Sequence, residues 1–433
     1  MNLSEDQILA LAPDEASKKA GRDLSGPSKW VSKGANEQAL WGECQGSGSK
    51  PYQTQIDLAG MTFKCSCPSR KFPCKHGLGL LLFQAKQPVL FTEKEAPAWV
   101  AEWLKKKQEK TEKKPEGASQ PVDEAAQFKR QQAREKGVAD GIEELLRWMK
   151  DIVRNGILPI PEKGPAFFSA MAKRMIDAKA PGLAGMVKNL GNTDFFIEGW
   201  QSTFMDQLAR IYLVISGFKN KDNISPSLKE DVRNWIGFTQ NQDELKEKNG
   251  ITDTWLVLGK QVTEDDNLAT ERNWLYGTQS GQYALVLQFS VPGQGTNFSL
   301  TPGMVLQAEL VFFPSAEPMR AIIKRQLSTG NQARVTGLSS WLKVAESATN
   351  SNVRVPFTQE RPYIIQQLKP VQYNSQWWLA DRENRLVQLK SGYQNLYTLL
   401  SVSGGKALDM VVFGKENLYE PMGIWEGENY IVI

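Results

Sequence analysis

The sequence predicts an α+β multidomain chain: a small strand–strand–helix metal-binding unit at the N-terminus, a central helical bundle and a C-terminal antiparallel β-rich region. Three observations predict it. Cys65-Ser-Cys67, a gap of six residues and Cys74-Lys-His76 form the pattern C-x-C-x6-C-x-H. Apolar residues then recur with helical period over roughly 137–248, and β-branched and aromatic runs separated by Gly and Pro dominate from 249 to the end.

The ligand pattern carries the chemistry. Three of the four cysteines in the chain and its single histidine fall within a dozen residues. Three thiolates and one imidazole make a closed tetrahedral set for structural zinc, with no position left for substrate. Met61, Phe63, Cys65 and Cys67 share one parity, so an extended segment points both thiolates of the C-x-C to one face over a floor made by Phe63. Tyr52, Thr54, Ile56 and Leu58 alternate with Gln53, Gln55 and Asp57, which reads as a half-buried strand with one wet face. Ala59-Gly60 turns it into the ligand-bearing strand, and Gly77-Leu-Gly-Leu-Leu-Leu-Phe-Gln-Ala follows as the helix that anchors the second ligand pair. A redox role for the C-x-C competes less well, because it gives Cys74 and His76 no reason for their spacing. Cys44 stands as a fifth candidate ligand, but a buried or free thiol is the favoured reading.

The stretch from Trp41 to Tyr52 and the run Cys65-Ser-Cys-Pro-Ser-Arg-Lys-Phe-Pro-Cys-Lys-His-Gly-Leu-Gly79 resemble a bacterial group of SWIM zinc finger proteins, specifically so over about the first hundred residues. The resemblance implies that Cys65, Cys67, Cys74 and His76 are the zinc ligands. It also implies contact with protein or with DNA or RNA, and association with MoxR-type AAA+ ATPases and von Willebrand A-domain proteins.

Four units are expected: the finger domain over 1–104, a charged linker over 105–136, a helical domain over 137–248 and one or two β units over 249–433. Ser4 caps a short first helix, and Trp99 and Trp103 mark a closing helix over 97–104. Ile142, Leu145, Leu146, Met149, Ile152 and Val153 form one helical face. Trp200 to Ile215 continues the logic in a helix opened by Asn192-Thr-Asp, and Ser227 to Glu230 reads as a capping box. Trp255–Leu258, Tyr283–Phe289, Val305–Phe313 and Ile424–Ile433 read as strands, 377–389 as a hairpin, and 334–345 as a helix.

Charge and composition exclude several classes. The net charge of +4 is small for 433 residues. Lys64, Arg70, Lys71 and Lys75 nevertheless lie around the ligands with no acid between them, which allows phosphate contact. Cations also offset the −1 charge of zinc with three thiolates. No apolar run approaches the ~20 residues of a membrane span. The N-terminus lacks a secretion signal and the cysteines are clustered rather than spread, so a cytoplasmic chain is expected. Catalysis is not expected. His76 cannot both hold zinc and move a proton, and the Gly-Lys pairs at 259–260, 405–406 and 414–415 lack the rest of a phosphate loop.

Overall fold

The computed structural model describes residues 5–9, 11–46, 48, 50–58, 61–69, 71, 73–91, 95–112, 124–265, 268–290, 300–330, 334–357 and 360–433. The capping reading of Ser4 and the turn at 59–60 lie outside these residues.

The N-terminal unit contains α1 (Glu5–Leu9), α2 (Glu15–Asp23), β1 (Trp30–Ala35), β2 (Ala39–Cys44), β3 (Tyr52–Asp57), β4 (Thr62–Cys65), α3 (Lys75–Lys86) and α4 (Ala98–Glu112). The four strands form an antiparallel sheet in sequential order. One face packs against α1 and α3 around Ile8, Leu40, Ile56, Phe63 and Leu80. Thr54, Gln55, Ile56 and Asp57 are all buried, so the expected wet face of β3 does not exist. The reason is α4, whose Val100 packs on Ala39 and Trp41 and whose Lys107 pairs with Asp57 and donates to Thr62 Oγ1 at 2.6 Å. The lysine-rich run read as the start of a linker thus continues α4, as expected energetically for Lys, Gln and Glu, which are good helix formers.

The helical domain comprises α5 (Glu124–Asn155), α6 (Gly164–Asp177), α7 (Pro181–Gly191), α8 (Trp200–Lys219), α9 (Pro226–Ile236) and α10 (Gln242–Glu247). Its core joins Ile142, Leu145, Met149, Phe168, Leu183 and Phe204. Val153, expected on the buried face, is 56% exposed. Eleven residues from Ile142 bring it back to within about 20° of the same face, so it stays on the apolar stripe and is exposed because it lies two residues before the end of α5 at Asn155. Asn192-Thr-Asp does not open α8: Asn192 ends α7, and Gly199 in the left-handed region precedes Trp200. The cap of α9 is Ser225, accepting from Leu228 N at 3.3 Å, rather than Ser227, which lies inside the helix after Pro226. Pro at the first helical position, where no amide donor is needed, sets that start.

Two β units follow. β5 (Ile251–Asp265), β6 (Leu268–Gly277), β7 (Tyr283–Ser290), β8 (Val305–Phe312) and β9 (Arg320–Gly330) close a barrel in the order β5-β6-β7-β9-β8. Its one parallel pairing joins β7 to β9. This is the strand order of an OB-type barrel. The second unit holds α11 (Trp341–Arg354), β10 (Arg361–Tyr373), β11 (Gln376–Ala380), β12 (Leu386–Leu389), α12 (Leu396–Ser403), β13 (Leu408–Lys415), β14 (Leu418–Glu426) and β15 (Asn429–Val432). The hairpin expected over 377–389 forms as β11 and β12. Two expectations need correction. The run 424–433 is two strands turning at Gly427 (φ 60°), and the helix expected from 334 begins only at Trp341. Before it, Leu338 bridges to Ile365, which holds the segment extended.

The barrel and the sheet share an apolar interface. Leu256, Leu258 and Trp274 of the barrel pack on Ile364, Phe413 and Trp425, and Tyr430 donates its hydroxyl to Leu258 O. Phe357, just after α11, enters the core of the helical domain and lies 5.0 Å from Trp235, ring to ring.

Candidate metal centre

The four expected ligands converge. Cys65 ends β4, where its register with Thr54 brings Thr54 Oγ1 to 3.2 Å from Cys65 Sγ. Ser66 prolongs the pairing by one residue, its amide donating to Gln53 O at 3.0 Å, and this places Cys67 just past the sheet. Cys74 is the residue before α3, with extended backbone and a side chain that makes no cap hydrogen bond, so its sulfur is free to face inward. His76 sits in the first turn, 4% exposed, with its ring 5.0 Å from that of Tyr52.

The ligand atoms of Cys65, Cys67, Cys74 and His76 all lie within 4.8 Å of one another. His76 presents Nδ1, at 3.7 Å from Cys65 Sγ and 4.0 Å from Cys74 Sγ. A tetrahedral zinc ion with ordinary bond lengths separates sulfur from nitrogen by about 3.6 Å. The donor set and its spacing therefore fit one zinc ion. Phe63 packs under the start of α3: a Cβ on Gly77 would come within 2.8 Å of its ring, which is why glycine follows His76. Gly79 serves a second contact, since a Cβ there would meet Leu24 Cβ at 2.5 Å, where α3 presses on the end of α2.

Without metal the cluster shares protons unevenly. Hydrogen bonds from Cys65 and Cys74 pull the Cys67 thiol far down, whereas hydrogen bonds with Cys65 and Cys67, together with burial, push Cys74 up. Burial opposes a charge on His76, but contacts with Cys65 and Cys67 outweigh it and raise the imidazole to about 9. Zinc must displace these protons to bind.

Cys44 is not a fifth ligand. It is wholly buried in β2, outside the four-atom cluster, with its thiol pushed up chiefly by burial. Of the basic residues expected to meet phosphate, Lys64, Lys71 and Lys75 are exposed, and Arg70 lies outside the described residues. Lys71 is already engaged, its Nζ 2.6 Å from Asp14 Oδ2. That hydrogen bond, with the amide of Ser17 that Asp14 caps, holds the Asp14 carboxyl at about 2. Sequence reasoning missed both this pair and Lys107–Asp57, because each joins residues some fifty positions apart.

No helix among the described residues is long and apolar enough to cross a membrane. A family model described as SWIM zinc finger matches residues 52–84, the span from β3 to α3. A second, described as SWIM-associated four-helix bundle domain, matches residues 133–236, from within α5 to the end of α9. No curated protein matches the chain. The chain thus carries a SWIM zinc finger and, after it, the helical bundle associated with that finger.

Proposed function

We propose that the chain is a non-catalytic cytoplasmic scaffold whose zinc finger folds a protein-recognition module. The observation that carries this reading is the finger's surface. Zinc is closed off by four protein donors, one basic residue is consumed by Asp14, and Val31, Val89 and Leu90 stand exposed on the same unit. Val31 lies on β1, an edge strand of the sheet. An edge strand with an exposed apolar side chain suits addition of a partner strand. In the bundle, Phe196 is fully exposed beside Ile197 at 61%, a pair with no packing role that suits contact with another protein.

The partner proposed is a MoxR-type AAA+ ATPase together with von Willebrand A-domain proteins, a reading that rests on the family resemblance. A pull-down with such an ATPase in its nucleotide-bound state tests it. Enrichment over the Cys65→Ser chain supports the reading, and equal recovery sinks it.

A second reading, nucleic-acid binding, is favoured by Lys64 and Lys75, exposed cations with no carboxylate partner among the described residues. Two phosphate contacts give a salt slope of about −2 for duplex DNA. Binding that ignores salt and survives Lys64→Glu with Lys75→Glu removes this reading.

A further inference from the structure

Between the C-terminal end of α9, the outer wall of the barrel and the start of β10 lies a cleft of about 750 Å³. That is the scale of small-molecule sites, roughly 300–1,000 Å³. Its barrel wall follows from register. Trp274 on β6 pairs with Leu285 on β7, which pairs with Arg320 on β9, and Arg272 pairs with Leu287 on the same face. The alternate residues Leu275, Ala284, Val286 and Ala321 fill the barrel, so Arg272, Trp274 and Arg320 stand on its outside and line the cleft. Trp235 and Phe357 form the facing wall.

The acids that line the cleft are committed. Glu317 pairs with Arg354 and Arg361, and Glu360 with Lys390. Asp231 is buried and accepts from Ala316 N at 2.8 Å, and burial pushes its carboxyl toward the neutral form. The donors are not committed to the same degree. Arg320 stacks on Phe313, with its guanidinium carbon 4.4 Å from the ring centre, and has no carboxylate partner among the described residues. Arg272 reaches Thr263 Oγ1 at 2.9 Å and likewise pairs with no acid among them. Trp274, 3% exposed, has an indole N–H with no acceptor among the described residues, and Arg361 Nε is also buried without one among them. Buried donors without acceptors are uncommon in folded proteins and call for an acceptor from elsewhere.

We propose that this cleft binds a small organic anion, a single carboxylate or phosphate on a planar or apolar body. Arg320 and Arg272 take the charge, and Trp235 and Phe357 take the body. Guanidinium groups match either anion through two parallel hydrogen bonds. A polyphosphate fits poorly, because Glu317 and Glu360 are already paired with cations and buried Asp231 accepts the Ala316 amide, which leaves no free carboxylate among these acids for a divalent cation. The site is separate from the finger and independent of any protein partner.

Titration calorimetry on the zinc-loaded full chain tests this, with adenosine monophosphate and indole-3-acetate as probes and adenosine, indole and inorganic phosphate as controls. The expected result is a Kd below about 1 mM for one probe or both, at least tenfold weaker binding of the matching control, and at least tenfold loss in Arg320→Met. Preference for the nucleotide assigns a phosphate, and preference for the indole acid a carboxylate. Should Arg320→Met fail to fold by thermal melting, Arg272→Gln carries the same expectation. No binding of either probe below about 1 mM, or binding unchanged in the folded variant, overturns the proposal.

Discussion

Lys71 Nζ lies 2.6 Å from Asp14 Oδ2, so a cation of the zinc loop caps back onto the residue that starts α2. The pair decides what Lys71 is for. Lys71→Glu is expected to loosen the finger, seen as faster amide exchange at Ser17, and to leave any phosphate affinity unchanged. Lys64→Glu and Lys75→Glu are expected to do the reverse. A loss of nucleic-acid affinity on Lys71→Glu with unchanged exchange at Ser17 contradicts this assignment.

Zinc supplies folding energy to the small N-terminal unit. Cys65→Ser or His76→Ala should release one zinc equivalent, by elemental analysis, and open residues 40–90 to protease while the bundle stays resistant. Since the metal competes with protons on the raised Cys74 thiol and on an imidazole raised to about 9, zinc affinity should rise with pH through that value. A mutant that retains full zinc and protease resistance refutes the ligand assignment.

In the bundle, Gly182 lets α7 start directly against the end of α9. A Cβ there would come within 2.1 Å of Trp235 O, backbone that cannot turn away. Gly182→Ala should destabilise the helical domain by about 1–3 kcal/mol. Chemical denaturation of the wild-type and variant chains measures it, and a shift near zero shows that the two helices part freely.

Glu317 ties three elements: its carboxylate takes Ser351 Oγ at 2.9 Å and pairs with Arg354 at 3.1 Å and Arg361 at 3.4 Å. Burial raises its carboxyl, but Ser351 and the two arginines outweigh it and leave it below the ordinary 4.5. An acid lowered on folding stabilises above its unfolded value, and that stabilisation is lost as pH falls through the folded one. Melting temperature should therefore fall less steeply below pH 4.5 in Glu317→Gln than in the wild-type chain. Parallel curves would show that the network contributes nothing.

The exposed Phe196 offers a test of the scaffold reading. Phe196→Ser should leave the melting temperature within a degree or so, because a surface substitution costs about 0.5 kcal/mol at most. It should weaken capture of the ATPase partner. Unaltered capture moves the interface elsewhere.

Local signals in the chain were legible wherever neighbouring residues decide the outcome. Cys65, Cys67, Cys74 and His76 could be read as one site because a hairpin and a helix start bring them together within twelve residues. The 377–389 hairpin and the helical core positions around Ile142 were legible for the same reason. Asp57 and Val153 were misread because each depends on what covers it. α4 returns over the sheet to bury Asp57, and no element among the described residues covers Val153 at the end of α5.

The Cys3His cluster that fits one zinc ion and the order of finger, helices and strands were readable from local pattern, since ligand spacing and side-chain period act over short separations. Packing between distant segments set the pairing of Lys71 with Asp14 and of Lys107 with Asp57, the place of Cys44 outside the four-ligand cluster, and the division of the β region into a closed barrel and a sheet. It also decided that Arg320, Arg272 and Trp274 share one cleft. These depend on strand register and on contacts between distant segments, which no local pattern encodes.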